Sequence, residues 1–408
     1  MKLTKYFLFC FIFPILFSIS SCYGIIANGS EPLIRTNSLG QKFPAMAHSV
    51  YYLTKDIDLK GQTYILSEDV TIRQSGGVIK NGTLIGNKTK IHNSKALFER
   101  VSIQGTWYVE NISTDFFVDL TYKNSLRDVL ALASPDVNNK IMIKKGIYDI
   151  SLDEKNKNGI MIPSNTDVVI DGTICLAPNS LAYYEIVKAQ GNDISISGKG
   201  SIIGDKGNHL GTSGEWGMGL YIRGNDIRIR NITIKDCWGD CIYINTASKI
   251  HIENCILDNG RRQGISITSG KNIYIMNCMI KNVHGTAPQF AIDLEPNKGD
   301  SVNNIYIHKT QIFNCVGGIT ANGGANNAFL GNVYIEDCFV DENVKANSYQ
   351  FSYANKVSIK NCTAKNNSRK IKFSHINTVE TKMNKVGGKT NQEIFSNCKM
   401  INGIKSSK

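Results

Sequence analysis

Proline is scarce in this chain, with 8 among 408 residues, and none of its 11 cysteines forms a Cys-x-x-Cys pair. The shortage of proline and the abundance of Ile, Asn and Gly are typical of an all-β protein with many short strands and turns. The missing cysteine spacing argues against a thiolate metal site. The sequence also lacks a basic strip interleaved with aromatics and a helical DNA-reading motif, so we expect no nucleic acid partner.

The N-terminus has the pattern of an export signal. Lys2 and Lys5 precede an apolar run over residues 6–17, which is short for a membrane span. The sequence Ile19-Ser20-Ser21-Cys22 follows this run and resembles a bacterial lipobox. This pattern predicts a signal peptide over residues 1–21.

Cleavage at that point would leave Cys22 as a lipidated N-terminal residue, followed by a lipoprotein tether over residues 22–45. The alternative is an ordinary signal peptide cut near Ser21. We therefore expect an exported lipoprotein of the bacterial cell envelope, periplasmic or at the cell surface on the outer membrane. Its only expected membrane contact is the lipid anchor.

The chain is basic, with 46 Lys and Arg against 34 Asp and Glu and a net charge of +12. Removal of residues 1–21 would take away two lysines and no acids, which leaves +10. A positive surface favours an anionic partner such as an acidic polysaccharide, although it also serves solubility alone.

Internal repeats dominate the second half of the chain. Four successive segments align: GLYIRGNDIRIRNITIKDCWGD, CIYINTASKIHIENCILDNGRRQ, GISITSGKNIYIMNCMIKNVHGTAPQF and AIDLEPNKGDSVNNIYIHKTQIFNCVG. Each begins with a short alternating strand, passes a polar turn and continues through an I-x-I strand. Stacked coils of about 22 residues with three short strands are the signature of a parallel β-helix. We predict an all-β fold, a single-stranded right-handed parallel β-helix, over residues 111–408.

Two smaller elements are predicted ahead of the coils. Residues 46–110 contain GGVIKNGTLIGNKTKI, which indicates a small β-rich leading module. Residues 124–134 have amphipathic spacing and predict a short N-terminal capping helix, with Asn124 or Ser125 as its cap. Such a helix would cover the open end of the stack.

Outward positions of the leading strands are expected to form two columns. The first column contains Tyr221, Tyr243, Ser266, Asp293 and Thr320. The second contains Arg223, Asn245, Thr268, Glu295 and Asn322. The positions between them, expected to point inward, are Ile222, Ile244, Ile267 and Leu294.

The cysteines Cys255, Cys278, Cys338 and Cys362 also fall in one aligned column, each after Asn or Asp. We interpret them as buried thiols that fill small inward positions. Disulfides between neighbouring coils are the alternative in an exported protein.

Insertions single out one strand of the stack. From Ile242 to Ile319 the equivalent isoleucines are spaced by 23, 27 and 27 residues. The surplus residues fall in HGTAPQ, just before the strand AIDL, and in PNKGDS, just after it. These longer turns are expected to wall a groove whose floor holds Asp293 and Glu295.

Other polar and aromatic groups are expected near these two acids. Asp240 ends the turn before the strand that contains Tyr243, about two coils from Asp293. Adjacent coils are about 4.8 Å apart. Aromatic rings beside charged groups suit a sugar-binding cleft. The alternative to a binding role is that His284 is merely exposed on a turn and that Trp238 and Trp216 pack under loops. The candidate substrate-binding residues are Arg261, Arg262, Gln263, His284, Gln289, Tyr243, Trp238, Trp216 and Arg223.

The segments WGDCIYI and RRQGISITSG, one coil apart, resemble the G-D-D-C-I-x-I and G-H-G-I-S-I-G-S motifs of the polygalacturonases. The wider pattern, over about residues 115–400, is similar to the pectin lyase-like superfamily. The resemblance implies that Asp240 is one of the acids working on a glycosidic bond. Gly239 and Gln263 replace the family's first aspartate and its histidine. The family's N-T-D triplet has a match at residues 165–167, but this match lies several coils too early to share the cleft. No R-I-K triplet occurs. The acid set is therefore expected to be a different one.

We expect a polysaccharide-cleaving enzyme that acts on an acidic, uronate-containing glycan. As a glycoside hydrolase it would use Asp293, Glu295 and Asp240 as catalytic acids and would need no cofactor. The arginines would bind a uronate or sulfate group.

Two alternatives stay open. A polysaccharide lyase would use Arg262, His284 or Lys281 as base, with Arg261 or a calcium ion between the two acids to neutralise the uronate. A non-catalytic, glycan-binding surface lipoprotein would leave the acids solvated or paired with the arginines.

Overall fold

The computed structural model describes residues 33–34, 46–92, 96–324, 328–365, 371–382, 385–386 and 393–400. The predicted signal peptide, the predicted lipidation at Cys22 and most of the predicted tether lie outside these residues. Within the tether segment, Leu33–Ile34 form a short strand that pairs in parallel with Val50 and Tyr51. No helix in the described part of the chain is long and apolar enough to cross a membrane.

The first strands form a seven-stranded parallel sheet in the region of the predicted leading module. They are β1 (Leu33–Ile34), β2 (Val50–Leu53), β3 (Ile57–Asp58), β4 (Thr63–Ile65), β5 (Thr71–Gln74), β6 (Ile79–His92) and β7 (Phe98–Trp107). β6 is the central strand, because β3, β4, β5 and β7 all pair with it.

From residue 111 onward the strands belong to other sheets. A 3-10 turn (Thr114–Phe116) and one helix, α1 (Ser125–Leu130), lie among the first of them. In chain order the strands are β8 (Asn111–Ser113), β9 (Asn139–Ile143), β10 (Ile147–Ile150), β11 (Asn158–Ile162), β12 (Thr166–Ile170), β13 (Thr173–Leu176), β14 (Tyr183–Ser197), β15 (Ser201–Ile203), β16 (Trp216–Arg230), β17 (Thr233–Lys235), β18 (Ile242–Glu253), β19 (Ile256–Asp258), β20 (Ile265–Ile267), β21 (Gly270–Met276), β22 (Met279–Lys281), β23 (Phe290–Leu294), β24 (Ser301–His308), β25 (Gln311–Phe313), β26 (Gly317–Asn322), β27 (Phe329–Glu336), β28 (Phe339–Val340), β29 (Tyr349–Ser352), β30 (Ala354–Lys360), β31 (Thr363–Ala364), β32 (Ile371–Lys382), β33 (Lys385–Val386) and β34 (Glu393–Met400).

These strands stack as the coils of a parallel β-helix. Ten short ones form one parallel sheet, in the order β10, β13, β15, β17, β19, β22, β25, β28, β31 and β33. The other seventeen form a second sheet, whose longest members, such as β14 and β16, run through two sides of a coil. Each strand pairs with its equivalent one coil away, which confirms the predicted fold class.

Inward side chains stack in ladders along the interior. Ile222 pairs with Ile244, Ile244 with Ile267, and Ile267 with Leu294, and none of the four is exposed to solvent. Burial of one such side chain contributes about 1.5–3 kcal/mol. The alternation of inward and outward residues therefore fixes the register of each coil, because a shift by one position would turn this ladder outward.

The Asn-Cys pairs have a structural role at a turn of each coil. Asn254 and Asn277 have a left-handed backbone, with φ of 55° and 52°, a conformation that asparagine tolerates better than most residues. The amide of Asn277 donates to the side chain of Asn254 at 2.6 Å, which links neighbouring coils. The next residue, Cys255 or Cys278, points inward as a buried, free thiol. The interpretation of this column as core filler is confirmed, and Cys315 joins it.

The helix differs from the predicted one. α1 covers Ser125–Leu130, shorter than the predicted 124–134, and it packs between β7 of the first sheet and β10 and β11 of the coils. Asn124 occupies the N-cap position, as predicted, but its side chain makes no capping hydrogen bond. Asn124 has a left-handed backbone, and its side chain accepts a hydrogen bond from the Ser151 amide, while Ser125 donates to the carbonyl of Leu120.

Candidate active site

The first predicted column is present on the outer face of the larger sheet. Backbone pairing places Tyr221 beside Tyr243, Tyr243 beside Ser266, Ser266 beside Asp293, and Asp293 beside Thr320. The side chain of Asp293 is nevertheless buried, with 3 % exposed, whereas the side chain of Glu295, two positions along the chain, is 49 % exposed. Asp293 is therefore shielded from solvent, and Glu295 is open to it.

Gln263 holds Asp293 by a hydrogen bond of defined direction. The side-chain Oε1 of Gln263 accepts from the backbone amide of Phe290 at 2.8 Å, so its Nε2 must face the other way. That Nε2 donates to Oδ2 of Asp293 at 2.6 Å. Gln263 is completely buried. It lies under the groove and positions Asp293. Contrary to the prediction, its buried side chain is not available to a substrate.

Arg262 lies at the centre of a cluster of carboxyl groups. Its Nη1 is 3.3 Å from Oδ2 of Asp240, its Nε is 3.8 Å from Glu215, and its Nη2 is 3.9 Å from Glu295. The guanidinium thus occupies the place where a cation would balance the acids. Among the described residues no group of three or more His, Cys, Asp or Glu side chains is placed to hold a metal ion.

Burial changes the ionisation of the two inner acids. Loss of water raises the pKa of Asp240 to about 7, although Arg262 acts in the opposite direction. Burial, reinforced by the charge of Glu295, raises the pKa of Asp293 to about 8, with Arg262 and the Gln263 hydrogen bond opposing. Asp293 therefore holds its proton at neutral pH. Asp240 has no exposed side-chain surface, and its Oδ1 accepts no hydrogen bond within the described structure.

Glu215 was not among the sequence-predicted site residues. It ends the segment 204–215, which lies between β15 and β16 and forms one wall of the site. The signal for this insertion is present in the spacing. Ile202 and Leu220 are 18 residues apart, whereas their partners one coil later, Ile234 and Ile242, are 8 apart.

A buried network fixes this wall. His209 Nδ1 lies 2.8 Å from Asp205, whose carboxyl also accepts from the hydroxyl of Tyr184. The ring of His209 stacks on Trp238 with a centroid distance of 4.0 Å. The guanidinium carbon of Arg261 lies 3.7 Å from the same tryptophan ring centroid. Both faces of Trp238 are therefore covered, so it supports the wall and has no free face for a sugar.

Arg261 differs from Arg262 in its partners. Its Nη1 donates to the carbonyls of Gly214 and Trp238 at 3.1 and 3.4 Å. No carboxylate of the described residues lies within 4 Å of it. Partial burial lowers the pKa of Arg261 and the charge of Glu215 opposes this, so its positive charge is balanced at longer range and by no ion pair.

The predicted aromatic residues on the first two coils lie in the groove. Tyr243 stacks on Tyr221 at a centroid distance of 5.6 Å, and its hydroxyl accepts from Thr268 at 3.0 Å. Trp216, at the start of β16, is 45 % exposed, and Arg223 is exposed on the same strand. These residues line the side of the groove that leads away from Asp293 toward the N-terminal coils.

Three other predicted residues do not join the acids. Lys281 belongs to β22 of the smaller sheet, where it pairs with Asp258 at 3.3 Å, so its assignment to the site is wrong. Gln289 closes its own turn by accepting from the amide of Gly285 at 2.7 Å. His284 is exposed on the preceding turn. Partial burial and the nearby lysines Lys206 and Lys345 lower its pKa.

A family model described as "Right handed beta helix region" matches residues 147–333 and, in a second overlapping match, 218–405. The uncharacterized protein YclG of Bacillus subtilis (strain 168) is 31 % identical over 186 residues, which is 38 % of this chain. The chain spans 32 % of the length of that relative. These matches confirm the right-handed coil and, in fold, the resemblance to the pectin lyase-like superfamily.

Solved structures with a similar fold are more distant in sequence. The family 28 exopolygalacturonase of Yersinia enterocolitica is 11 % identical, with 73 % of this chain and 79 % of that chain covered and a TM-score of 0.43. The A-module of the mannuronan C-5 epimerase AlgE6 of Azotobacter vinelandii is 9 % identical, with 69 % and 95 % covered and a TM-score of 0.35. A likeness at this level is one of fold and says nothing of the reaction.

Proposed function

The chain belongs to the right-handed β-helix family, and from the groove that its coils build we propose that it is a polysaccharide-cleaving enzyme, a glycoside hydrolase acting on an acidic glycan. The observation that carries this proposal is the contrast between Asp293, buried with its pKa raised to about 8, and Glu295, half exposed beside it. A protonated acid and an open carboxylate are the two groups that glycoside hydrolysis requires.

In the proposed reaction Asp293 is the general acid. Gln263 donates to Oδ2, which leaves Oδ1 as the oxygen that carries the proton. This proton passes to the glycosidic oxygen as its bond to the anomeric carbon breaks. Glu295 takes a proton from a water molecule, whose oxygen bonds to the anomeric carbon. The Cα atoms of two residues on one strand face are roughly 6.5 Å apart, a spacing that lets their carboxyl groups separate enough to hold a water molecule, as an inverting mechanism requires.

Arg262 and Asp240 serve this pair indirectly. Asp240 is fully buried, so we assign it the role of positioning residue for Arg262 and not that of a group touching substrate. Burial of the guanidinium opposes its charge, but the surrounding carboxyls Asp240, Glu215, Asp293 and Glu295 raise the pKa of Arg262. Its Nη2 lies 3.9 Å from Glu295 and orients that carboxylate beside Asp293.

Arg261 supplies the contact that favours an acidic substrate. It is the cation beside the site without a carboxylate partner among the described residues, and its planar fork matches a uronate carboxylate. A substrate carboxylate that binds there would place the neighbouring glycosidic bond above the acids.

β-Elimination is the rival reaction. It requires a base able to lose its proton near neutral pH. The raised pKa of Arg262 makes it a poor base, and Lys281 lies on the other sheet. His284, whose pKa is lowered, meets the requirement, but it is exposed on a turn and pairs with none of the described acids. A calcium ion bound by Asp293 and Glu295, the other element of the lyase hypothesis, would have to share its site with the Arg262 guanidinium.

The test is a screen of the purified protein against acidic and neutral polysaccharides with two readouts. A hydrolase releases new reducing ends without an unsaturated product, and this is the expected result with at least one acidic glycan. A rise in ultraviolet absorbance from an unsaturated product would establish a lyase instead. Retarded migration in affinity electrophoresis without either product would identify a non-catalytic binding protein.

A further inference from the structure

The groove continues from the acids toward the N-terminal coils. Backbone pairing carries the column from Asp293 through Ser266, Tyr243 and Tyr221 to Lys188, and then to Met161 of β11. Five coil steps of about 4.8 Å separate Asp293 from Met161, a distance of about 24 Å. A bound polysaccharide chain that follows this column would pass over Met161.

A cleft of about 640 Å³ opens at that end, between α1 and residues 155–164. Its floor is apolar and includes Leu130, Met161 and Pro163, and the Met161 side chain is 52 % exposed. Three basic residues and neither Asp nor Glu are among the described residues that line it. An apolar floor with a charged and amide rim suits the faces and substituents of sugar rings.

The basic residues of this cleft differ in whether their charged groups already have hydrogen-bond or ion-pair partners. Arg127 donates to the carbonyls of Gly159 and Asn158 at 2.8 and 3.1 Å, so it mainly holds the cleft together. Lys157 pairs with the exposed Glu154 at 2.7 Å. The ammonium group of Lys155 forms no ion pair among the described residues, although the backbone amide of Lys155 donates to Asp153 at 2.9 Å. Three basic residues therefore outnumber the two acids of the adjoining loop, Asp153 and Glu154, and the ammonium group of Lys155 is left without an ion pair among the described residues.

The acid cluster around Arg262 has the opposite character. Four carboxyl groups surround one guanidinium there, which makes the cleavage centre a poor source of binding energy for a polyanion. Lys188, four of the five coil steps from Asp293 along the column, lies 3.5 Å from the buried Glu185, so its charge is partly compensated. Apart from the contact at Arg261, attraction for an anionic chain must then come from farther along the column, where the cleft at the N-terminal end lies.

We propose that the cleft around Lys155 and Lys157 is a second binding site, which holds the far end of the anionic oligosaccharide chain that is cleaved at Asp293. The inference rests on the proposed function for the identity of the cleaved chain, but the cleft's own affinity for acidic glycans is independent of cleavage. A chain long enough to reach both sites would bind more tightly than a short one, because both contacts belong to one molecule.

The experiment compares two double variants in an Asp293→Asn background, so that no glycan is cleaved during the measurement. Lys155→Gln/Lys157→Gln removes the charges of the cleft. Lys140→Gln/Lys145→Gln removes the same charge from exposed lysines outside it. Migration is measured by affinity electrophoresis in gels that contain polygalacturonate, alginate, hyaluronate or neutral dextran.

We expect at least one acidic glycan to retard the parent, and the cleft variant to bind it about tenfold more weakly, which corresponds to about 1.4 kcal/mol. The control variant should stay within about twofold of the parent, and added salt should reduce the difference because exposed charges are screened. Equal retardation of the cleft variant and the parent, or no retardation of the parent by any acidic glycan, would overturn the inference.

The two proposals fail in different ways. With Asp293 restored, cleavage that is unaffected by the lysine changes would leave the hydrolase standing and remove the second site. If the protein cleaves none of the glycans and the cleft variant still binds them more weakly than the parent, the second site stands and the hydrolase proposal fails. In an active enzyme, the cleft variant should raise KM for the polymer and leave KM for a trisaccharide unchanged, since three sugars are too short to span both sites.

Discussion

Gln263 Nε2 lies 2.6 Å from Oδ2 of Asp293, and the amide of Phe290 fixes the side chain of Gln263 in that orientation. Among the described residues, this buried carboxyl group thus has one hydrogen-bond donor on Oδ2 and none on Oδ1, the oxygen that carries the proton. The arrangement holds Asp293 in place without ionising it fully. The residue that replaces the polygalacturonase histidine is therefore part of the support of the acid and not of the groove surface.

Removal of this donor should shift the pH dependence of cleavage. The hydrogen bond from Gln263 lowers the pKa of Asp293, so Gln263→Met should raise it above its present value of about 8. A general acid is lost as pH rises through its pKa, so the alkaline limb of kcat/KM should move to higher pH in the variant. The measurement is the pH profile of reducing-end release.

Gln350→Met is the control for this change, because Gln350 lies on the same column two coils beyond Asp293. It should leave the alkaline limb where it is in the parent. A Gln263→Met variant with lower activity at every pH and an unmoved limb would show that Gln263 acts on packing alone.

Replacement of either proposed catalytic acid should remove cleavage and spare the fold. Proton transfer by a positioned side chain is worth about 10²–10⁴-fold in rate, and we expect a loss of that size in Asp293→Asn and in Glu295→Gln. Both changes keep the side-chain shape, so the melting temperature at pH 4, below the range in which the Asp293 proton changes stability, should hardly change. Asp167→Asn, an exposed outward acid on β12, is the matched control and should retain full activity. Activity retained in both site variants would refute the assignment.

The sequence was sufficient to predict the first strand column, because the repeated inward isoleucines determine which positions face outward. The pairing of Ser266 with Asp293 follows from Ile265 and Ile267 alone. The residues on turns were harder to place. Lys281 lies on a different sheet from Asp293, and no alternation in a three-residue strand distinguishes the two sheets.

The burial of the acids could not be predicted from local sequence. Asp240 and Asp293 are covered by residues brought in from other coils, and their raised pKa values depend on that cover. Glu215 was missed because it lies in an irregular loop, although the ten extra residues between Ile202 and Leu220 mark the insertion. To locate the walls of such a groove, the spacing before every strand must therefore be compared between coils, and not only the spacing next to a conspicuous pair of acids.

Stability should depend on pH through the same buried acid. The pKa of Asp293 is about 8 in the folded protein against an ordinary value of 3.8, so the folded state binds more protons between these values. The free energy of unfolding must therefore fall as pH rises from about 4 to about 8. Asp293→Asn has no such proton, and its melting temperature should exceed that of the parent at pH 8.5 but not at pH 4. An equal difference at both pH values would contradict this linkage.

Arg262 should be essential for stability at alkaline pH and much less so in acid. Arg262→Met leaves Asp240 buried without its cation, and breaking a buried pair on one side typically costs about 3–5 kcal/mol. The pKa of Asp240 is about 7, so this cost should be present in urea unfolding at pH 8 and small at pH 5, where Asp240 is protonated in the parent as well. Arg228→Met, which removes a partly exposed partner of Asp226, should cost less than about 1 kcal/mol at both pH values. A loss of stability in Arg262→Met that is the same at pH 5 and pH 8 would mean that the methylene stem of Arg262, and not its charge, stabilises the site.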